Sequence, residues 1–182
     1  MSKWMAVAMA GLLLTGVSVQ AAQNFDYPEG DPAFSIRFPA SWTAEVNDQD
    51  ALEGLSSDQT VYMVLWEVED VDNVEQEITE TAEQLLSDVE FDEADEEEVT
   101  NKYDVKFWLK HGTGVDKQND EQVQFTIAVF GITEDRAFIA MYTIESENAT
   151  EEGKRQFTNI MESIRPLIEE DAAAEEETEE EE

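Results

Sequence analysis

The chain has 182 residues, with 45 Asp and Glu against 10 Lys and Arg, one His and no Cys, for a formal net charge of −35. Without cysteine there is no disulfide framework, thiol nucleophile, Cys-based zinc site or lipoprotein anchor. The charge makes nucleic acid and anionic membrane surfaces poor partners, because both repel it.

At the N-terminus, Lys3 precedes the apolar run Met5 to Leu14, and small or neutral residues follow as far as Val19-Gln20-Ala21. A short basic start, an apolar core too short to span a bilayer comfortably and a small residue before the chain turns polar predict a secretory signal peptide over residues 1–21. Cleavage is placed after Ala21, with Ala22 as second choice, and the protein is expected to be periplasmic or secreted, with no stable membrane insertion once cleaved. The alternative is a retained N-terminal anchor, since the basic start holds a single charge.

Pro28, Gly30 and Pro32 mark residues 22–33 as an extended leader, residues 34–168 suffice for a single domain, and the acidic tail 169–182 is too polar to fold. Export removes Lys3 and the tail carries ten of the acids, leaving 35 acidic against nine basic residues, a formal charge of −26, on the domain and leader. Repulsion at this density destabilises the compact state unless salt screens it, and the Debye length falls from ~10 Å at 0.1 M to ~3 Å at 1 M. Adaptation to high salt, in a halophilic or salt-tolerant bacterium, is the expectation.

In chain order, Phe34, Ile36 and Phe38 alternate with Ser35 and Arg37 as a short strand, Pro39-Ala40-Ser41 turns it, and Trp42, Ala44 and Val46 begin a returning strand. Leu52 to Leu55 is another brief strand. Val61 to Val68, apolar on both faces apart from Glu67, is a central one. Asp72, with Glu75 three residues on, predicts a helix start, and Val74, Ile78, Ala82, Leu85, Leu86 and Val89 follow at helical spacing. Six acids among the seven residues from Asp92 to Glu98 predict a solvated loop over Phe91 to Val99. Tyr103 to His111 alternates as a strand, and Gly112 to Glu121 is read as the loop after it. The longest signal is the hairpin Gln122 to Glu145, whose arms alternate about a turn at Thr133-Glu134-Asp135-Arg136 and whose second arm is apolar on both faces. Asn148 to Pro166 is read as the second helix, with Phe157, Ile160, Met161 and Ile164 as its apolar stripe and Pro166 as its stop.

The strand-Pro-Trp stretch FSIRFPASW, the helix EQEITETAEQLLSD, the long hairpin and the closing QFTNIMESIRP together resemble the PsbP-like fold family, over roughly residues 34 to 167. That family includes the extrinsic photosystem II subunit, a yeast Ran-binding import factor and DcrB-type bacterial envelope proteins. The resemblance implies an α+β fold, with an antiparallel β-sheet sandwiched between two helical layers, and a role in binding or assembly with no shared catalytic apparatus. It carries over no partner, and this chain lacks the anchoring Cys of the lipoprotein members.

Searched for chemistry, the sequence assigns no catalytic, cofactor or metal residue. His111, the single histidine, is read as a loop residue in His-Gly-Thr-Gly, and no Gly-x-Ser-x-Gly elbow accompanies it. Gly112-Thr113-Gly114 lacks the length and the lysine of a phosphate loop. Asp92 to Glu98 lacks the glycine and spacing of an EF-hand loop and is read as a solvated charge run that attracts cations only diffusely. Asn148-Ala149-Thr150 is read as helix capping. One pattern stands out on so acidic a surface: Lys106 and Lys110 flank Trp108 on the outward face of one strand, a candidate partner-binding patch. The alternative pairs the lysines with Glu67 or Glu69 and tucks Trp108 under a helix. The expected function is a non-enzymatic binding or assembly factor of the bacterial envelope, taking an unknown envelope protein or small ligand. The alternatives are a small carboxylate-dependent hydrolase or transferase, or a cation-binding envelope protein. A shallow cleft lined by Trp and aliphatic side chains favours binding; convergent carboxylates around His111 favour the hydrolase.

Overall fold

The computed structural model describes residues 21–68, 74–133, 136–149 and 151–167. Outside these lie all but the last residue of the predicted signal peptide, Asp72, Glu69, the turn residues Glu134 and Asp135, Thr150, and the acidic tail.

Among the described residues, ten strands and two α-helices follow one another as β1 (Gln23–Tyr27), β2 (Phe34–Phe38), β3 (Thr43–Val46), β4 (Leu52–Leu55), β5 (Val61–Glu67), α1 (Val74–Leu85), β6 (Leu86–Thr100), β7 (Lys106–Asp116), β8 (Gln122–Thr133), β9 (Arg136–Glu145), α2 (Glu151–Met161) and β10 (Arg165–Pro166). Seven strands form one antiparallel sheet in the order β3-β4-β5-β9-β8-β7-β6, and three form a second in the order β1-β2-β10. The hairpin is β8–β9, and β9 is the middle strand of seven. Phe138, Ala140, Tyr142 and Ile144 lie in the core on one face, and Ile139 and Met141 in the core on the other.

The expected sandwich between two helical layers is overturned by what covers the first of these faces. There the small sheet joins α2: Tyr27, Phe34, Ile36 and Phe38 share one core with Phe157, Ile160, Met161 and Ile164. The physical reason is reach. An 11-residue helix is about 17 Å long and about 10 Å across, whereas seven strands span about 29 Å, so one short helix cannot dry the face alone. Strands do the rest, and the fold is mostly antiparallel β. The opposite face carries α1, which inserts Ile78 and Ala82 among Val64, Ile127, Ile139 and Met141.

Several element boundaries also differ from the sequence reading. The leader is part of the fold, for Gln23–Tyr27 pairs antiparallel with Phe34–Phe38. The strand after Ser41 does not return along β2; it crosses to the large sheet and pairs with β4. The first helix stops at Leu85, and Leu86 and Val89 belong to β6; Asp88 has φ of 49°, which no α-helix accommodates. The segment read as a loop over Phe91 to Val99 lies within β6, an edge strand. Between the pairs Phe91–Gly112 and Glu96–Lys110, β6 advances five residues while β7 advances two, so the acidic run is carried as a bulge on a paired strand. Strand β7 starts later than Tyr103 and runs on through Asp116. Gly112 is needed there because a Cβ would strike the Phe125 ring and the Glu90 carbonyl. The second helix is shorter than Asn148–Pro166: after Met161 the chain leaves it, and Arg165–Pro166 pairs with β2.

Asn101 holds that exit in place. Buried to 6% exposure, it donates from Nδ2 to the Met161 (3.2 Å) and Ile164 (2.8 Å) carbonyls and accepts the Tyr103 and Val105 amides on Oδ1. The Met161 carbonyl also accepts the Ile164 amide at 3.2 Å, so the helix end is capped both by its own exit and from the loop before β7.

Candidate functional site: a cleft between helix α1 and strand β5

Helix α1 is 12 residues long, packs Ile78 and Ala82 into the core on its face of the sheet and leaves a cleft open on its β5 side. Cross-strand pairs on this face run Trp66–Ile139–Val129–Trp108, from β5 across β9 and β8 to β7. Ile139 is fully buried, whereas Trp66, Val129 and Trp108 are half-buried, so a tryptophan stands at each end of this row.

On the β5 flank the helix and the sheet enclose an open cleft of about 730 Å³. Its apolar wall is Tyr62, Val64 and Trp66, which alternate along β5, together with Leu85 from the last turn of α1. Its polar lining comes from Gln49 and Asp50 in the β3–β4 turn and from Glu80 and Gln84 on α1. Tyr27 closes one end: its hydroxyl donates 2.6 Å to the Asp50 carbonyl, and burial, followed by the Glu67 and Asp50 charges, pushes its pKa far above the ordinary 10. Burial and then the Glu53 carboxylate do the same for Tyr62. Both phenols are therefore neutral; the Tyr27 ring is packed against Phe34 and Phe138, and the half-buried Tyr62 is the one that presents aromatic surface. Glu67 is engaged by Arg136, whose Nε and Nη2 donate to the two carboxylate oxygens at 2.6 and 3.1 Å in a bidentate pair.

The candidate patch on the other flank is brought together as Lys106, Trp108 and Lys110 on β7. Lys106 is exposed and pairs with exposed Glu98 at 3.7 Å. Trp108 packs against the α1-side core. Lys110 sets its ammonium 4.9 Å from the Phe91 ring centre and 5.8 Å from that of Trp108. Its cation–π neighbour Phe91 lies on β6, so these lysines take their partners from the adjacent edge strand and not from Glu67, which goes to Arg136.

His111 is a strand residue, correcting its reading as a loop histidine. It is the cross-strand neighbour of Thr126, with Nδ1 2.8 Å from Thr126 Oγ1. A hydroxyl beside an imidazole can serve as nucleophile and base, but catalysis also needs a recess to hold substrate. The pair lines neither this cleft nor the smaller polar recess of about 170 Å³ beside Ser56, Asp58 and Gln156. In that recess Ser56 donates 2.6 Å to Asp58, which holds the Asp58 carboxyl below its usual range and commits both groups to a turn. Among the described residues no three His, Asp or Glu are grouped to hold a metal ion, and no helix is long and apolar enough to cross a membrane.

The sequence pointed to β7 and missed the cleft. Its signal was the pairing of a strand apolar on both faces with a helix too short to cover a wide sheet, and the width of the sheet is not readable from local pattern.

The fold and cleft define a class: a mostly antiparallel β protein of two sheets with a solvent-open, aromatic-walled cleft beneath one helix. No family model matches the chain, and no curated protein matches it. Among solved structures it is similar to a Bacteroides thetaiotaomicron protein at a TM-score of 0.57 and 13% identity, a likeness covering 82% of this chain and 50% of that one. This chain thus spans half the length of that neighbour, and the likeness is one of fold. A weaker likeness, at a TM-score of 0.46 and 13% identity over 80% of this chain and 91% of the other, is to Mycobacterium tuberculosis LpqN, a protein involved in cell envelope biogenesis.

Proposed function

We propose that this chain is an exported, non-enzymatic binding protein of the bacterial cell envelope, adapted to high salt, whose ligand sits in the cleft between α1 and β5. The cleft carries the reading. Its volume of about 730 Å³ lies within the ~300–1,000 Å³ usual for small-molecule sites, and aromatic walls with a few polar groups are the composition such sites have. The apolar run Met5 to Leu14 and the following small residues support export, and the PsbP-like resemblance of FSIRFPASW and QFTNIMESIRP supports a binding role. The buried positions of Phe34, Ile36, Phe38 and Trp42 make the first of those motifs a core element. The second flank, with Lys106, Trp108 and Lys110, is the place for a protein partner of the same reading.

The test is a titration with Nile red, a neutral apolar dye whose emission rises and shifts to the blue in apolar surroundings. The protein lacking residues 1–21 is expected to bind it saturably, Trp66→Ala to lose most of the signal, and His111→Ala to bind as the parent does. Binding that is absent in the parent, or unaffected by Trp66→Ala, overturns the cleft as the site. Loss with His111→Ala favours the hydrolase alternative.

A further inference from the structure

We infer that the cleft selects a cationic amphiphile: an ammonium group carried on an apolar chain or ring. This deepens the binding reading above and rests on it. The walls supply two half-buried aromatic side chains, Tyr62 and Trp66, and a ring face attracts a cation through its quadrupole, most strongly where water is excluded. Among the described residues the lining also contains Asp50, Glu67 and Glu80 and not one Lys, Arg or His.

Acidic lining alone says little in a chain with 45 acids. The combination is what discriminates. A neutral ligand has no use for the carboxylates, and an anion meets them with no compensating base, whereas an ammonium with an apolar body matches both halves of the site. The carboxylates also differ in availability. Glu67 is neutralised by its bidentate partner Arg136, which leaves Asp50 and Glu80, both exposed at the mouth, to meet the charge. Gln76, one turn earlier on α1, donates 2.6 Å to Glu80 Oε1 and so orients that carboxylate. Val64 and Leu85 are left to receive the apolar body. The cleft is bounded by the helix and the β3–β4 turn, which suits a small molecule better than a protein surface.

The experiment displaces Nile red from the protein lacking residues 1–21 with three ligands of matched chain: octyltrimethylammonium, 1-octanol and octanoate. It is run at ~1 M NaCl, where a Debye length of ~3 Å removes the general attraction of an acidic surface for cations. The expected order is cation first, alcohol second and carboxylate last. The cation should lead the alcohol by at least several-fold. Glu80→Gln is expected to narrow that gap with the alcohol unchanged, while Glu97→Gln, on the far edge strand, leaves it intact. If octanol displaces the dye as well as the cation does, the charge preference is wrong and the cleft stands. If neither Glu80→Gln nor Asp50→Asn narrows the gap in folded protein, the carboxylates are not the selecting groups and the inference falls. If Nile red binds nowhere near Trp66, the cleft reading itself falls.

Discussion

Asn101 shows how much one side chain can organise. Three of its four side-chain hydrogen bonds are buried, and together the four tie the end of α2, some 60 residues away, to the entry of β7. Replacing it with Ala takes the partner from the Ile164 carbonyl and from the Tyr103 and Val105 amides, while the Met161 carbonyl keeps the Ile164 amide, and each buried unsatisfied group costs about 1–3 kcal/mol. Asn101→Ala is therefore expected to destabilise the protein by about 3 kcal/mol or more in denaturant unfolding. A loss below about 1 kcal/mol would show that water replaces the amide. The bonds to the Tyr103 and Val105 amides are those of a local turn, but nothing in Thr100-Asn101-Lys102 announces the two to Met161 and Ile164, which are set by how α2 docks. Trp66 was hidden in the same way: the strand pattern identified β5 as buried on both faces, and only the placement of α1 decides that Tyr62, Val64 and Trp66 border a cleft.

At the level of elements, α2 is a cover and its stripe was legible. Phe157, Ile160, Met161 and Ile164 are all buried, on the face of β9 that presents Phe138, Ala140, Tyr142 and Ile144. The Phe157 ring lies 4.7 Å from that of Tyr142. Phe157→Ala should cost about 3–5 kcal/mol, a large share of the roughly 5–15 kcal/mol that holds a domain together. Thermal and urea unfolding measure it, and an unchanged midpoint would remove α2 from the core. Where elements were misread, pairing had overruled composition. Six acids in seven residues say loop to any local rule, yet β7 offers β6 a ladder of backbone partners from Thr100 to Leu86, and Asp92, Glu97 and Glu98 stay exposed on it. An edge strand so charged also resists pairing with a second copy's edge, the usual hazard of an open sheet. The end of the second helix was misplaced for a similar reason: Ser163 Oγ donates 2.6 Å to the Ile160 carbonyl and accepts the Arg37 amide at 2.9 Å, drawing the chain onto β2.

For the molecule as a whole, charge is the largest influence that packing does not describe. With 35 acids against nine bases over residues 22–168, self-repulsion opposes compaction, and screening relieves it. The melting temperature is expected to rise between ~0.05 M and ~1 M NaCl. A flat or falling curve would count against adaptation to high salt. The overall architecture was half legible: the central strands and both helices could be found, but the second sheet could not, because its strands β1, β2 and β10 come from opposite ends of the domain. That closure carries a consequence for how the chain is made. Phe34, Ile36 and Phe38 leave the ribosome early, and the Arg165–Pro166 strand that completes their sheet, with the Leu167 amide reaching the Ala33 carbonyl at 2.9 Å, leaves almost 130 residues later. At ~5–20 residues per second the interval is on the order of ten seconds. Throughout it the nascent chain lacks the strand that completes its second sheet, and under the export proposed above that delay would keep it threadable.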